Sequence, residues 1–158
     1  MSTALVPTSL ARRLTGAAAA LLLALGALTL PSSPASAAER DGVCDVGEVC
    51  FHYNSDQKGA VSDFTGSMRN YGSSQPGCYE FKSPDKDAAG RGECMKNNTA
   101  SVTNRTAHPV TVYYNSNYGG RSQVIPAGAS ANLDPALKNN NASHHVDAPS
   151  CHDGVCAV

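Results

Sequence analysis

The chain has no tryptophan and only nine aromatic residues, six Tyr and three Phe, among 158. A small domain with so few large apolar side chains needs stability from somewhere besides its core. Charged residues are also sparse, at 16%. They are scattered, so there is no basic stripe for nucleic acid and no like-charged tail. Catalytic signatures are missing: there is no Gly-x-Ser-x-Gly elbow, no His-Glu-x-x-His pair and no phosphate-binding loop. No enzyme is expected. Nowhere does an apolar stretch reach the roughly 20 residues that cross a bilayer as a helix.

The one apolar run that is present, Ala17 to Leu30, spans fourteen residues. It follows Arg12 and Arg13 and precedes the small residues Ala35, Ser36 and Ala37. That is the layout of a secretory signal, predicting residues 1–38 as a cleaved leader, a secreted extracellular product, and no membrane attachment once the leader is gone. Removing it leaves 158 − 38 = 120 residues, enough for one domain. Two of the twelve basic residues leave with it, so the balance becomes 10 − 13 = −3. A mildly acidic monomer without affinity for nucleic acid is the expectation.

All six cysteines, Cys44, Cys50, Cys78, Cys94, Cys151 and Cys156, lie beyond the leader. An even count in a small exported chain reads as a disulfide framework. Sequence proximity suggests Cys44–Cys50, Cys78–Cys94 and Cys151–Cys156 among the 15 possible pairings. A closed loop the size of Cys78–Cys94 contributes about 3 kcal/mol by constraining the unfolded chain.

The exported part half-repeats itself. HYNSDQKG at His52 is echoed by YYNSNYGG at Tyr113, and KNNTAS at Lys96 by KNNNAS at Lys138. The first pair is offset by 113 − 52 = 61 residues and the second by 138 − 96 = 42, so the first unit carries 19 extra residues between its marks. Residues 110–114 are β-branched and aromatic, as in a half-buried strand, and 115–120 break that strand with residues that tolerate positive φ. Extended segments are expected at 49–53, 59–64, 101–104, 121–125 and 142–146. Asp134 and Pro135 should open a single helical turn. Residues 73–77 and 83–92 read as loops, and 65–71 carry no clear pattern. Short strands and frequent turns predict an all-β domain.

A hairpin that reads aromatic, four residues, aromatic, one residue, Gly, with a later Ser before the last strand, resembles the βγ-crystallin Greek key. In the second unit the positions are Tyr113, Tyr118, Gly120 and Ser143. In the first, only Gly59 and Ser101 hold, with His52 and Gln57 in the aromatic places, so that hairpin should be looser. The opening stretch from Cys44 to Phe51 and the NYGGRS segment at Asn117 add a likeness to secreted bacterial peptidase inhibitors of the actinomycete metalloproteinase-inhibitor type. The resemblance implies a disulfide-stapled βγ-crystallin-like domain of two Greek-key units over residues 43–147, followed by a C-terminal disulfide tail at 148–158. Its implied partner is an extracellular protease, most plainly a metalloprotease.

Within that resemblance, the reactive bond follows a Cys, which points to Cys78–Tyr79 or Cys94–Met95. Tyr79, Phe81 and Met95 are the apolar candidates for docking, in or beside the loop stapled by Cys78 and Cys94. A loop held in shape before docking loses little entropy on binding. The competing expectation is a non-inhibitory crystallin-type binding module with weak calcium affinity or a cell-surface or antagonism role. Asn97 to Ser101 and Asn139 to Ser143 approach a crystallin calcium site but end in Val102 and His144 and offer neutral amides, so turns are expected there rather than a metal. A zinc site from His144, His145, His152, Cys151 and Cys156 is disfavoured where the thiols are oxidised. The acids Asp63, Glu80, Asp85, Asp87 and Glu93 read as solvated surface. Asn97, Asn104 and Asn141 stand in glycosylation sequons. No cofactor is expected.

Overall fold

The computed structural model describes residues 38–148 and the backbone of 151–152 and 155–156. The expected leader, apart from Ala38, and the Cys151 and Cys156 side chains lie outside the described residues. Strands run at β1 (Val49–His52), β2 (Val61–Phe64), β3 (Ser101–Asn104), β4 (Val110–Asn115), β5 (Gly119–Ile125), β6 (Ser130–Asn132) and β7 (Ser143–Val146). A short hairpin of β8 (Cys151–His152) and β9 (Val155–Cys156) sets Cys151 opposite Cys156. Among the described residues the one helical element is a 3-10 turn at Ser116–Tyr118.

Two antiparallel sheets form, ordered β2-β1-β3-β6 and β5-β4-β7. The first takes three strands from the first unit and β6 from the second, through pairs such as Val102 with Ala131. The exchange is reciprocal: Met68 of the first unit bridges to His144 on the free edge of β7, with Met68 N donating to His144 O at 2.9 Å and the return bond at 3.0 Å. Each unit therefore gives its third extended segment to the other's sheet. This is the βγ-crystallin-like arrangement of two interlocked Greek keys, and neither unit closes its core alone. Neither β6 nor the Met68 bridge is among the extended segments read from the sequence, because three residues or one carry no alternation to read.

The core lies between the sheets. Val49, Phe51, Phe64, Val102, Val110, Val112 and Ile125 meet there with Leu133 and Leu137, all buried. At its centre His144 packs against Phe51 (centroids 4.7 Å apart), Phe64 (4.9 Å) and Tyr71 (5.7 Å). Its Nε2 lies 2.8 Å from Gly66 O and must carry the proton, so Nδ1 accepts from the Tyr71 hydroxyl at 3.1 Å. Burial pushes the His144 pKa down to about 3. The ring is neutral and fully bonded, which commits it to the core.

The repeated Asn-rich segments pair with one another. Asn97 N donates to Asn141 O at 2.8 Å, and Asn139 N donates to Thr99 O at 2.9 Å. The two bonds are related by the 42-residue offset, as across a local two-fold axis. Asn97 and Asn139 both take positive φ, 62° and 57°, a conformation Asn tolerates better than most residues. Thr99 and Asn141 each bond back to the carbonyl four residues earlier, at Met95 and Leu137. Turns in which Asn side chains bond their own backbone were expected and are present, at Asn98 with Cys94 O and Asn141 with Leu137 O; the same turns also form the seam between the units. Asn104 and Asn141 are fully buried, leaving no room for a glycan at those two sequons. Asp134 caps its turn as expected, accepting from Ala136 N and Leu137 N at 3.1 Å each.

Candidate functional site

The extra residues of the first unit fold back against the sheets. Tyr71 and Phe81 are fully buried, and Phe81 meets Tyr53 edge to face with centroids 5.5 Å apart. In a chain this poor in aromatics, the insertion supplies a substantial part of the core. Residues 73–77 stay exposed, as do 84–87 and 91–93. The first of these closes with Gly77 N on Ser74 O at 2.9 Å.

Between the exposed stretches runs an extended segment, residues 79–82, pinned along both sides. Phe81 N donates to Glu93 O, Gly92 N to Phe81 O, and Met95 N to Tyr79 O, at 2.8–2.9 Å. On the other side, Tyr79 N donates to Tyr71 O at 2.8 Å, and Lys82 exchanges two bonds with Val61, the first residue of β2. Cys78 and Cys94 are disulfide-bonded, with Cα atoms 5.6 Å apart, and the adjacent Glu80 and Cys94 form an antiparallel bridge. Cys44 and Cys50 form a second disulfide. The Cys78–Cys94 staple therefore ties neighbouring extended segments together and does not close off a free-standing loop.

The candidate docking residues separate clearly. Cys78 and Tyr79 are partly exposed. Phe81 and Met95 are at 0% exposure, and with their side chains in the core neither can be an anchor for a partner. Met95 occupies the place in the first unit that Leu137 occupies in the second: each accepts a backbone bond from the Asn three residues on, at 3.0 and 2.9 Å. An apolar residue beside a cysteine looks the same in sequence whether it faces solvent or the core. Cys94–Met95 is thus buried on its second side, whereas both residues of Cys78–Tyr79 are partly exposed, directly after the exposed residues 73–77, with Tyr79 packed against the edge of the core.

A strap before the first strand lies over this segment. Arg40 places its guanidinium 4.5 Å from the Phe64 ring centroid and 5.0 Å from that of Tyr79. The same group donates to Glu80 O at 3.0 Å, to Asp63 O at 3.3 Å and to Ser62 Oγ. Burial lowers its pKa, opposed first by the charge of Asp63, and a guanidinium stays charged under such shifts. Asp63, read from sequence as solvated, is fully buried. Its carboxylate accepts from Asp41 N at 3.1 Å and Gly42 N at 2.9 Å. A shallow pocket of about 280 Å³ opens beside the strap, lined by Asp41, Glu80, Phe81, Lys82, Ser83, Arg91 and Gly92. No sequence pattern marks Arg40, which stands alone next to the expected leader junction.

Sequence comparison places the chain in a known class: the model of peptidase inhibitor family I36 matches residues 37–125, more than half of the chain. The chain belongs to that family. The match takes in the strap, the first unit with its insertion, and the second hairpin. A search of curated proteins finds no match. Among solved structures, the chain is similar to one from work on the evolution of the eye-lens βγ-crystallin domain fold, at 12% identity over 70% of this chain and 91% of that one, with a TM-score of 0.48. It is also similar to a βγ-crystallin from an archaeon, at 16% identity over 65% and 99%, with a TM-score of 0.44. The N-terminal domain of Protein S is a third, at 20% over 63% and 93%, with a TM-score of 0.43. No helix among the described residues is long and apolar enough to cross a membrane.

Proposed function

We propose that the protein is a secreted, non-enzymatic inhibitor of extracellular proteases, with metalloproteases as its first targets, and that it docks through the Cys78–Tyr79 bond. The observation that carries this reading is the partly exposed bond itself, which joins a disulfide-tethered cysteine to an extended segment hydrogen-bonded along both sides. A segment already held extended meets a protease cleft with little further loss of entropy. If the bond is hydrolysed, water adds across it and both new ends stay in place. Cys78 remains tethered to Cys94 by the disulfide, and the new amine of Tyr79 remains beside Tyr71 O. The cut can then reseal with loss of the same water. An aromatic residue directly after the bond supports a metalloprotease partner of the kind that takes an apolar side chain there.

The test is inhibition by the purified exported protein of a panel of metallo-, serine and cysteine proteases at micromolar concentration. Inhibition should be concentrated among the metalloproteases. Tyr79→Ala should weaken it by about 2 kcal/mol or more, near thirtyfold, as expected for an interface anchor. Silence across the panel would contradict the proposal.

A further inference from the structure

We infer that Arg40 is the positioning residue of this site, and that the strap at residues 39–42 is part of the inhibitory face; the inference rests on the function proposed above. Gly92, Glu93 and Met95 hold the extended segment on one side, and Tyr71 and Val61 hold it on the other. The Tyr79 ring has Phe64 at one contact, 5.4 Å between centroids, and Arg40 at another. Arg40 also fixes the carbonyl of the next residue, Glu80, and ties it to β2 through Ser62 and Asp63. One planar, forked cation thus sets both the ring and the backbone immediately after the Cys78–Tyr79 bond. A lysine brings a single head to the same place and cannot span those acceptors at once.

The strap is shaped for this contact. Arg40 itself is in the left-handed region, φ 68°, which a non-glycine residue keeps when its surroundings demand it. Gly42, at φ 84°, runs so close to the site segment that a Cβ there would lie 2.5 Å from Lys82 C and 2.7 Å from Ser83 N. Both distances are to backbone, so the strap and segment would have to separate for any larger residue. Asp63 holds the strap's own amides from below. Thr65 and Glu39 are also in hydrogen-bond contact. The strap therefore touches the chain at Tyr79, Glu80, Lys82 and Ser83.

The experiment compares wild type, Arg40→Ala, Arg40→Lys and the control Thr111→Ala, which loses a 2.8 Å bond to Asp147 on the other sheet. Each is assayed against a metalloprotease that the wild type inhibits, well below its unfolding temperature, for inhibition constant and for the rate of cutting at Cys78–Tyr79. Arg40→Ala should inhibit at least tenfold more weakly and be cut there at least tenfold faster, turning an inhibitor into a substrate. Arg40→Lys, which keeps charge and fold, should fall between, and the control should match wild type in both readings whatever its melting temperature. Wild-type inhibition and cutting in both Arg40 variants would overturn the inference while leaving the proposed function standing. Equal losses in Thr111→Ala would overturn it too, by assigning the effect to stability. A wild type that inhibits nothing would overturn the proposed function and this inference together.

Discussion

The hairpin after β1 and the hairpin after β4 follow the same backbone path with different side chains. Both turn on a pair of residues in the left-handed region, Asp56 and Gln57 in the first (φ 59° and 56°), Asn117 and Tyr118 in the second (60° and 62°). Both end on a glycine of positive φ, Gly59 at 81° and Gly120 at 79°. Each is latched by a serine from the last strand of its unit. Ser101 Oγ donates to Asn54 O at 2.6 Å and accepts from Gln57 N at 3.0 Å; Ser143 Oγ donates to Asn115 O at 2.6 Å and accepts from Tyr118 N at 3.1 Å. The first hairpin was expected to be looser for want of aromatics, yet it is folded as tightly as the second. The geometry of this turn is set by the glycine and the serine. The aromatic pair, Tyr113 and Tyr118 with centroids 5.7 Å apart, adds cover in the second unit that Asp56 and Asn132 replace with polar bonds in the first.

The comparison is tested most severely in the core, at Met95 and Leu137. If these are equivalent positions, Met95→Ala and Leu137→Ala should each cost about 2–5 kcal/mol by leaving a cavity, read as lowered urea midpoints. A Met95→Ala protein with unchanged midpoint would break the equivalence and return Met95 to the surface.

Acid should separate the units next. His52 stands where the second unit has Tyr113, and its Nδ1 is buried without a partner. Burial lowers its pKa to about 4, as it lowers that of His144 to about 3. Both values lie below the 6.5 of the unfolded chain, so the unfolded state takes up protons first as pH falls. Stability should be complete above pH 6.5 and decline below it by about 1.4 kcal/mol per pH unit for each histidine. The His52 contribution ends near pH 4 and that of His144 near pH 3. Glu48, whose pKa is raised by burial, works in the opposite direction. His52→Tyr, which copies the second unit, should flatten the slope between pH 6.5 and about 4 in urea titrations at stepped pH. An unchanged slope would mean that His52 is not kept neutral by burial.

The serine latches offer the finest comparison. Ser101→Ala and Ser143→Ala each remove two hydrogen bonds and should each cost about 1–3 kcal/mol, alike to within about 0.5 kcal/mol. A first-unit loss far below the second would restore the looser hairpin that His52 and Gln57 suggested.

These pairs also show what the sequence made legible. Gly59, Gly120, Ser101 and Ser143 are local punctuation with a fixed physical meaning, so both hairpins, and through them the fold, could be read. The Asn-rich seam could be seen as a repeat but not as a contact, since its partners lie 42 residues apart in sequence. The exchange of third segments was hidden because a single bridge at Met68 and three residues at β6 carry no period. At the site, the Cys78–Tyr79 bond was within reach only through the family resemblance, which offered Cys94–Met95 equally. The burial of Phe81 and Met95 was not, because the insertion's packing partners come from other strands. Arg40 was invisible for the same reason, its contacts lying 22 to 40 residues away.

The most direct test of the inhibitory account is to hold the wild-type protein with an inhibited metalloprotease, then weigh it by mass spectrometry before and after reduction. The account predicts a fraction heavier by one water that remains a single species until reduced, then parts into two chains, the later one starting at Tyr79. Inhibition accompanied by a cut only within residues 83–92, only at Cys94–Met95, or at no bond at all would contradict it.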